Sequence, residues 1–243
     1  NGGLIMYKNY VFDLYGTLVD INTNENKVFL WQKMADFYGF YGAIYKPQEL
    51  KAEYKRLCEA EEEKITGVLY SEIQIEDVFL QLFLQKGVDA YEDLAIHAGQ
   101  MFRILSTKYL KLYDGVIDLL ETLKDKGKRI YLLSNAQEIF TLPEMEYLGI
   151  KSYFDGVIIS STEGCRKPDS QFYNVLFNKF LLQKSESIMI GNDYINDIKG
   201  AYDVGLDSLY IHSNLSPEIE DKLYSTYSIM DGNVKKIKEL IIK

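Results

Sequence analysis

"VFDLYGTLVD", residues 11–20, decides how this chain is read. An apolar run ends on the carboxylate of Asp13, and a Gly16-Thr17 turn follows at once. Its length and composition predict a buried strand that delivers a charged group to a loop. The same arrangement recurs in "KRIYLLSN" (128–135), "FDGVIISS" (154–161), "ESIMIGND" (186–193) and "LDSLYIHS" (206–213). Between these runs lie segments of helical period, "GVIDLLETLKDKG" (115–127), "SQFYNVLFNKFLL" (170–182) and "DIKGAYDVG" (197–205). Strands alternating with helices predict an α/β fold with a doubly wound, Rossmann-like parallel sheet, whose ligands gather beyond the carboxyl ends of the strands.

Residues 21–112 break this rhythm. They hold candidate helices at about 25–38, 47–66, 71–86 and 88–107, with almost no strand signal between them. The expected organisation is a core from residues 1–20 and 113–243 with an all-α helical domain, 21–112, inserted into it. Within the insert, "EAEEEK" (59–64) reads as a solvated helix face. "YGFYGAIY" (38–45) is open to two readings, contact with a substrate or packing between helices.

Composition narrows the function classes. The chain has 243 residues, 47% of them apolar, enough for a full core and an insert. Its 27 basic and 36 acidic residues give a net charge of −9, which repels polyanions and argues against nucleic acid as a partner. No apolar stretch reaches the ~18–20 residues of a membrane-spanning helix and no leader pattern opens the chain. A cytoplasmic location without membrane contact, as a monomer or homodimer, is the expectation. Met6 would serve as a natural start, with residues 1–5 a remnant of expression. Cys58 and Cys165 lie in dissimilar contexts and read as plain thiols, and His97 and His212 have no partner at ligand spacing.

The polar residues at the strand ends form a set. The first end offers Asp13, Tyr15 and Thr17, the second Ser134 and Asn135, and the fourth Asn192, Asp193 and Asp197. After the third comes "CRKPDS", which carries Lys167. Singly, each has an ordinary reading as a helix cap, a turn or a surface lysine. In a parallel sheet all would face one crevice, which would combine a carboxylate nucleophile, a lysine, hydroxyl donors and further carboxylates. That combination suits attack on a small anionic substrate, with a hard oxygen-liganded dication, Mg²⁺, to offset the repulsion.

"FDLYGTLVD" (12–20), "LLSNA" (132–136), "RKPDSQFY" (166–173) and "IGNDYINDIKGA" (190–201) resemble, in order and spacing, the four motifs of the haloacid dehalogenase superfamily. The resemblance covers nearly the whole chain and implies that 21–112 is that superfamily's helical cap. It implies further that Asp13 is the nucleophile, that the Tyr15 carbonyl binds metal, and that Thr17 bonds near the nucleophile. Ser134 and the Asn135 backbone would hold the transferring group, Lys167 would steady its charge, and acids of the fourth motif would complete an Mg²⁺ site. Alignment on "DIKGA" (197–201) brings Asn192 to the ligand position, but acid spacing favours Asp193, which is the expected ligand, with Asp197 second. Asp20 is expected to be a local cap.

Tyr15 departs from the phosphatase pattern, in which a second Asp protonates the leaving group. A phenol with a reference pKa of ~10 is a poor proton donor at neutral pH. A tyrosine at this place is what 2-haloacid dehalogenases carry, since halide leaves without a proton. The expected activity is Mg²⁺-dependent hydrolysis of a small phosphorylated metabolite through an aspartyl-phosphate. The rival is metal-free dehalogenation, against which stand the acidic fourth motif and the lack of a cap arginine, Arg56 or Arg103, in a matching context. A non-catalytic phosphometabolite sensor is a third reading, weakened by retention of Asp13, Ser134 and Lys167.

Overall fold

The computed structural model describes residues 7–242, so Met6 and the segment before it lie outside the described residues. The first strand, β1 (Asn9–Phe12), is followed by β2 (Val19–Thr23) and four helices, α1 (Val28–Phe40), α2 (Pro47–Lys64), α3 (Ile75–Leu84) and α4 (Glu92–Ser106). Then come β3 (Thr107–Leu112), α5 (Val116–Asp125), β4 (Arg129–Ser134), α6 (Glu138–Tyr147), β5 (Gly156–Ile159), the single turn α7 (Ser160–Glu163) and α8 (Ser170–Phe180). The chain continues through β6 (Ser187–Gly191), a π-helical turn (Tyr194–Lys199) running into α9 (Gly200–Asp203), β7 (Asp207–Ile211), β8 (Tyr227–Ile229) and α10 (Lys235–Ile241).

Six strands form one parallel sheet in the order β5-β4-β1-β6-β7-β8. Period-two alternation sends side chains to two covered faces. Tyr10, Phe12, Ile130, Leu132, Ile188 and Ile190 pack with Leu119, Leu123 and Ile237 of α5 and α10. Val11, Tyr131, Leu133 and Met189 pack on the other face with Phe172, Tyr173 and Leu176 of α8. Both faces are apolar because helices cover both, as a doubly wound sheet requires. Central β1 lies between β4 and β6, so Asp13, one residue beyond it, stands where the winding reverses.

The helices α1–α4 have their own core, in which Trp31, Tyr38, Tyr54, Phe79, Phe83 and Phe102 meet. The open reading of residues 38–45 resolves as packing: Tyr38 and Tyr45 are buried and donate to the Phe79 and Leu82 carbonyls at 2.9 and 2.6 Å. Glu59, Glu62, Glu63 and Lys64 are exposed, as a solvated helix face requires.

Three differences from the sequence reading have local causes. The chain enters and leaves the helical layer through β2 and β3, an antiparallel ribbon whose half-exposed residues carry no run of apolar character. Helix α6 contains Pro143, which interrupts the helical pattern and lacks the N–H owed to the Ile139 carbonyl; Gln100 of α4 supplies a donor at 3.4 Å. Asp20 caps no helix. It lies within β2 and accepts from Asn214 at 3.0 Å and Tyr109 at 3.3 Å, with Lys111 at 3.5 Å. Among the described residues no helix is long and apolar enough to cross a membrane.

Phe102 stacks against Trp31, Tyr54 and Phe79 with centroid separations of 5.7, 5.2 and 5.4 Å. Truncation of such a ring typically costs ~3–5 kcal/mol. Phe102→Ala is therefore expected to lower the urea midpoint followed by Trp31 fluorescence, the sole tryptophan reporting on this core. An unchanged midpoint would show that the four helices do not share one core.

Candidate active site

Lys167 is the centre of the site. Its ammonium is buried and donates to Asp13 Oδ1 at 2.8 Å and to Asp197 Oδ1 at 2.7 Å. Burial by itself would depress the lysine pKa, but the two carboxylates outweigh it and hold the pKa above its ordinary value. The loop bearing Lys167 is fixed by Asn135, whose Oδ1 accepts from the Lys167 N–H at 2.8 Å while its Nδ2 donates to the Lys167 carbonyl at 2.9 Å. The Asn135 side chain thus serves Lys167, and only its backbone is left to meet a ligand.

Asp197 is buried and its carboxyl pKa is raised to about 7, chiefly by burial, with the Asp13 charge adding to the effect and Lys167 opposing it. Its second oxygen accepts from the Asp193 N–H at 2.9 Å. Gly191 permits this approach, since a Cβ there would fall 2.3 Å from Asp197 Oδ2. Asp193 itself turns to the helix that follows. Its Oδ1 accepts from the N–H groups of Ile195 and Asn196, both at 2.9 Å, and its Oδ2 accepts from Asn196 Nδ2 at 2.7 Å. It is an N-cap that satisfies otherwise unpaired helical donors.

Asn192 faces the nucleophile instead. Its amide lies flat on Gly16, where a Cβ would fall 2.3 Å from Nδ2 and 2.7 Å from Oδ1. Gly16 also adopts φ +87°, a conformation that favours glycine. Thr17 Oγ1 stands 3.3 Å from Asn192 Oδ1 and 3.4 Å from Asp13 Oδ2. Those two oxygens have no closer donor than Thr17, and both are of the hard type that suits Mg²⁺. Ser134 is buried at the end of β4, and its hydroxyl has no hydrogen-bond partner among the described residues. Asp13, Tyr15, Asn135, Lys167, Asn192, Asp193 and Asp197 line one cavity of about 180 Å³, closed on another side by Leu215 and Pro217. The reach of Leu215 and Pro217 into this cavity has no signal in their own stretch of sequence.

Tyr15 lines the cavity but its hydroxyl points away from Asp13. It donates to Glu144 of α6 and lies 3.1 Å from Thr141 Oγ1. Burial and the Glu144 carboxylate push its pKa further above that of an ordinary phenol, so it is a weaker acid than a free tyrosine. Arg103, from α4, also binds Glu144 at 2.6 Å and passes over the Tyr15 ring. That placement escaped the sequence reading because Arg103 and Glu144 lie on different layers, 41 residues apart. His97 is exposed, and His212 pairs with the Tyr210 hydroxyl at 2.9 Å away from the cavity.

Comparison with known proteins gives the family. Residues 7–205 match the family described as haloacid dehalogenase-like hydrolase. The pyrimidine 5'-nucleotidase PynA of Streptococcus pneumoniae is 26% identical over 98% of this chain and 99% of its own length. A glyceraldehyde 3-phosphate phosphatase of Methanothermobacter thermautotrophicus is 26% identical over 54% of this chain and 59% of that protein. Among solved structures, the 2-haloacid dehalogenase of Pseudomonas syringae pv. Tomato shares the fold with a TM-score of 0.64 at 18% identity, over 96% of this chain and 97% of its own.

The raised Asp197 pKa has a thermal consequence. An unfolded aspartate titrates near ~3.9, so between about pH 4 and 7 the folded chain holds a proton that the unfolded chain has released. Stability from this group is complete below pH ~4 and is lost as pH rises through about 7. In chelator, the melting temperature of Asp197→Asn relative to the wild type is therefore expected to rise from pH 5 to pH 8, on the order of 5 °C. A difference that stays flat with pH would contradict the buried, proton-binding state of Asp197.

Proposed function

This chain belongs to the haloacid dehalogenase-like hydrolases, and from that premise we propose that it is an Mg²⁺-dependent phosphatase of a small phosphorylated metabolite. One observation carries the reading. A buried ammonium bridges Asp13 and Asp197 in the cavity, and at the end of β4, the strand paired with β1, the buried Ser134 hydroxyl has no partner among the described residues. A phosphoryl oxygen would complete both, taking a hydrogen bond from Ser134 and charge compensation from Lys167. The names of the two relatives, a nucleotidase and a sugar-phosphate phosphatase, support a phosphomonoester as the substrate class.

In the first step a carboxylate oxygen of Asp13 forms a bond to phosphorus as the bond to the ester oxygen breaks, and the leaving alkoxide takes a proton from water. In the second, water attacks the same phosphorus as the bond to the Asp13 oxygen breaks, its proton goes to the hydroxide left by the first step, and inorganic phosphate and the free Asp13 carboxylate are released. Lys167 holds Asp13 in place through both. Thr17 orients Asp13 and Asn192 together.

The donors fit Mg²⁺, which accepts one or two protein carboxylates alongside neutral oxygens, water and substrate. Asp13, the Tyr15 carbonyl and Asn192 Oδ1 would hold it. We rank Asn192 ahead of Asp193, because the Asp193 carboxylate is occupied as a helix cap. Asp197 acts on the set through Lys167 and the Asp193 backbone. Bound there, the dication would offset the repulsion between Asp13 and an incoming phosphate.

Tyr15 favours a second reading, since a site with no acid two residues after the nucleophile is also suited to halide departure. Dehalogenation of a 2-haloacid would use Asp13 against carbon and survive a chelator. We rank it below phosphatase chemistry, because the paired carboxylates around Lys167 leave a compensated site with oxygen donors to spare. Cys58 and Cys165 are free thiols, in keeping with a cytoplasmic enzyme, which is part of the same proposal. A monomer or homodimer acting on a small anion, without nucleic acid or membrane, completes it.

Hydrolysis of 4-nitrophenyl phosphate is expected to require Mg²⁺ and to fall at least ~10³-fold in Asp13→Asn, as for loss of a covalent nucleophile. Chloride release from 2-chloropropionate in chelator, with no phosphatase activity, would replace this reading by the dehalogenase.

A separate expectation follows from the Tyr15 environment. With the Tyr15 hydroxyl engaged by Glu144 and too weak an acid to protonate the leaving group, kcat/KM should fall steeply as leaving-group pKa rises across a series of aryl and alkyl phosphates. A flat series would reveal an acid elsewhere in the cavity.

A further inference from the structure

Helix α4 meets α6 through Gly99, Gln100 and Arg103, and each makes a contact that depends on its identity. A Cβ at Gly99 would fall 2.5 Å from Ile139 Cδ1, so glycine is what lets the two helices close. Gln100 caps the carbonyl that Pro143 leaves without its helical donor. Arg103 closes a fork on Glu144, with Nε 2.6 Å from Oε1 and Nη2 3.2 Å from Oε2. The same guanidinium lies 5.4 Å from the Tyr15 ring centroid and 5.3 Å from that of Phe140. Glu144 is buried, and its other proton donor is the Tyr15 hydroxyl.

A buried carboxylate is thus shared between an arginine of the helical layer and a tyrosine of the catalytic loop. Breaking either bond would leave a buried charge under-compensated, so the three groups favour one joint arrangement. Tyr15 also carries the carbonyl placed above in the metal site, two residues beyond Asp13 and directly before the Gly16 turn. Fixing its ring therefore restricts that carbonyl.

We propose that Arg103 is a positioning residue for the metal site. Docked on α6, it holds Glu144 and through it Tyr15, so that seating of the helical layer and binding of Mg²⁺ strengthen each other. The coupling is reciprocal by thermodynamic necessity: whatever tightens Mg²⁺ on the docked form is tightened equally by Mg²⁺. The proposal rests on the reading of the Asp13 loop as an Mg²⁺ site. It also assigns Tyr15 a use other than that of an acid, as the contact through which the inserted helices reach the catalytic loop.

The test is calorimetric titration of Mg²⁺ into the wild type, into Arg103→Met/Glu144→Gln, and into Arg103→Lys. The double variant leaves net charge unchanged, so any change in affinity is not a simple charge effect. Lysine keeps the charge and loses the fork. The double variant, with native circular dichroism, is expected to raise the Mg²⁺ dissociation constant about 10-fold, the scale seen for groups that orient metal ligands. Arg103→Lys is expected to raise it by a smaller factor. Phosphatase activity should fall more at limiting than at saturating Mg²⁺. A folded double variant that binds Mg²⁺ as tightly as the wild type would overturn the coupling and leave the metal site standing. A wild type that binds no Mg²⁺ would overturn both.

Discussion

The structure depends on a single buried ammonium. Lys167 lies between Asp13 and Asp197 at 2.8 and 2.7 Å, and a charge buried at that depth is costly unless it is paired and hydrogen-bonded in this way. The arrangement demands a well-fixed lysine, and three elements provide it. Asn135 clamps its peptide from the end of β4. Asp169 caps α8 directly after it. The segment between α2 and α3 pairs with the lysine's own loop, through the Arg166 N–H on the Tyr70 carbonyl at 3.0 Å and the Glu72 N–H on the Gly164 carbonyl at 3.2 Å. The helical layer therefore touches the site at two places, beside Lys167 and beside Tyr15. Both contacts are directional hydrogen bonds, which gives each a definite geometry.

The core was legible in the sequence because its physics is local. A run such as "RIYLLS" (129–134) must be a strand covered on both faces, and the polar residue that ends it must sit at the sheet's edge. Asp13, Lys167, Asn192 and Asp197 line one cavity for that reason, and Ser134 ends the strand next to β1. Less local features were hidden. The ribbon β2/β3 owes its stability to pairing between residues nearly ninety positions apart in the chain, and a strand of that kind carries no apolar alternation. Helix α6 was masked by Pro143, whose cost is met by a glutamine from another layer.

The fourth motif shows a different limit. In "NDYIND" (192–197) Asn192, Asp193 and Asp197 compete for the same roles, and spacing alone favours the two acids. Which side chain is left free to take a ligand is decided by whether local donors claim it first. Asp193 is claimed by the helix it starts, whereas Asn192 meets only Thr17, Ser216 and the bare surface of Gly16. Tyr15 is similar: the residue type excludes strong acid behaviour, but its partner Glu144 can be known only from the packing of α4 on α6.

The β2/β3 ribbon has a consequence for how the chain folds. Strand β1 pairs with no near neighbour in sequence; Asn9 stands opposite Arg129 and Ser187. A newly made β1 must wait for most of the polypeptide before it can be hydrogen-bonded, the situation in which folding is slow and an unpaired strand is exposed. The four helices between have mostly local contacts and can form early. Once they do, the ribbon brings Val19 against Leu112 and shortens the remaining loop between β1 and β4 to roughly a quarter of its length. By the logarithmic dependence of closure entropy on loop length this saves about 1 kcal/mol. The inserted helices, beyond whatever they do to a substrate, act as an internal template that delivers the nucleophile's strand to its partners.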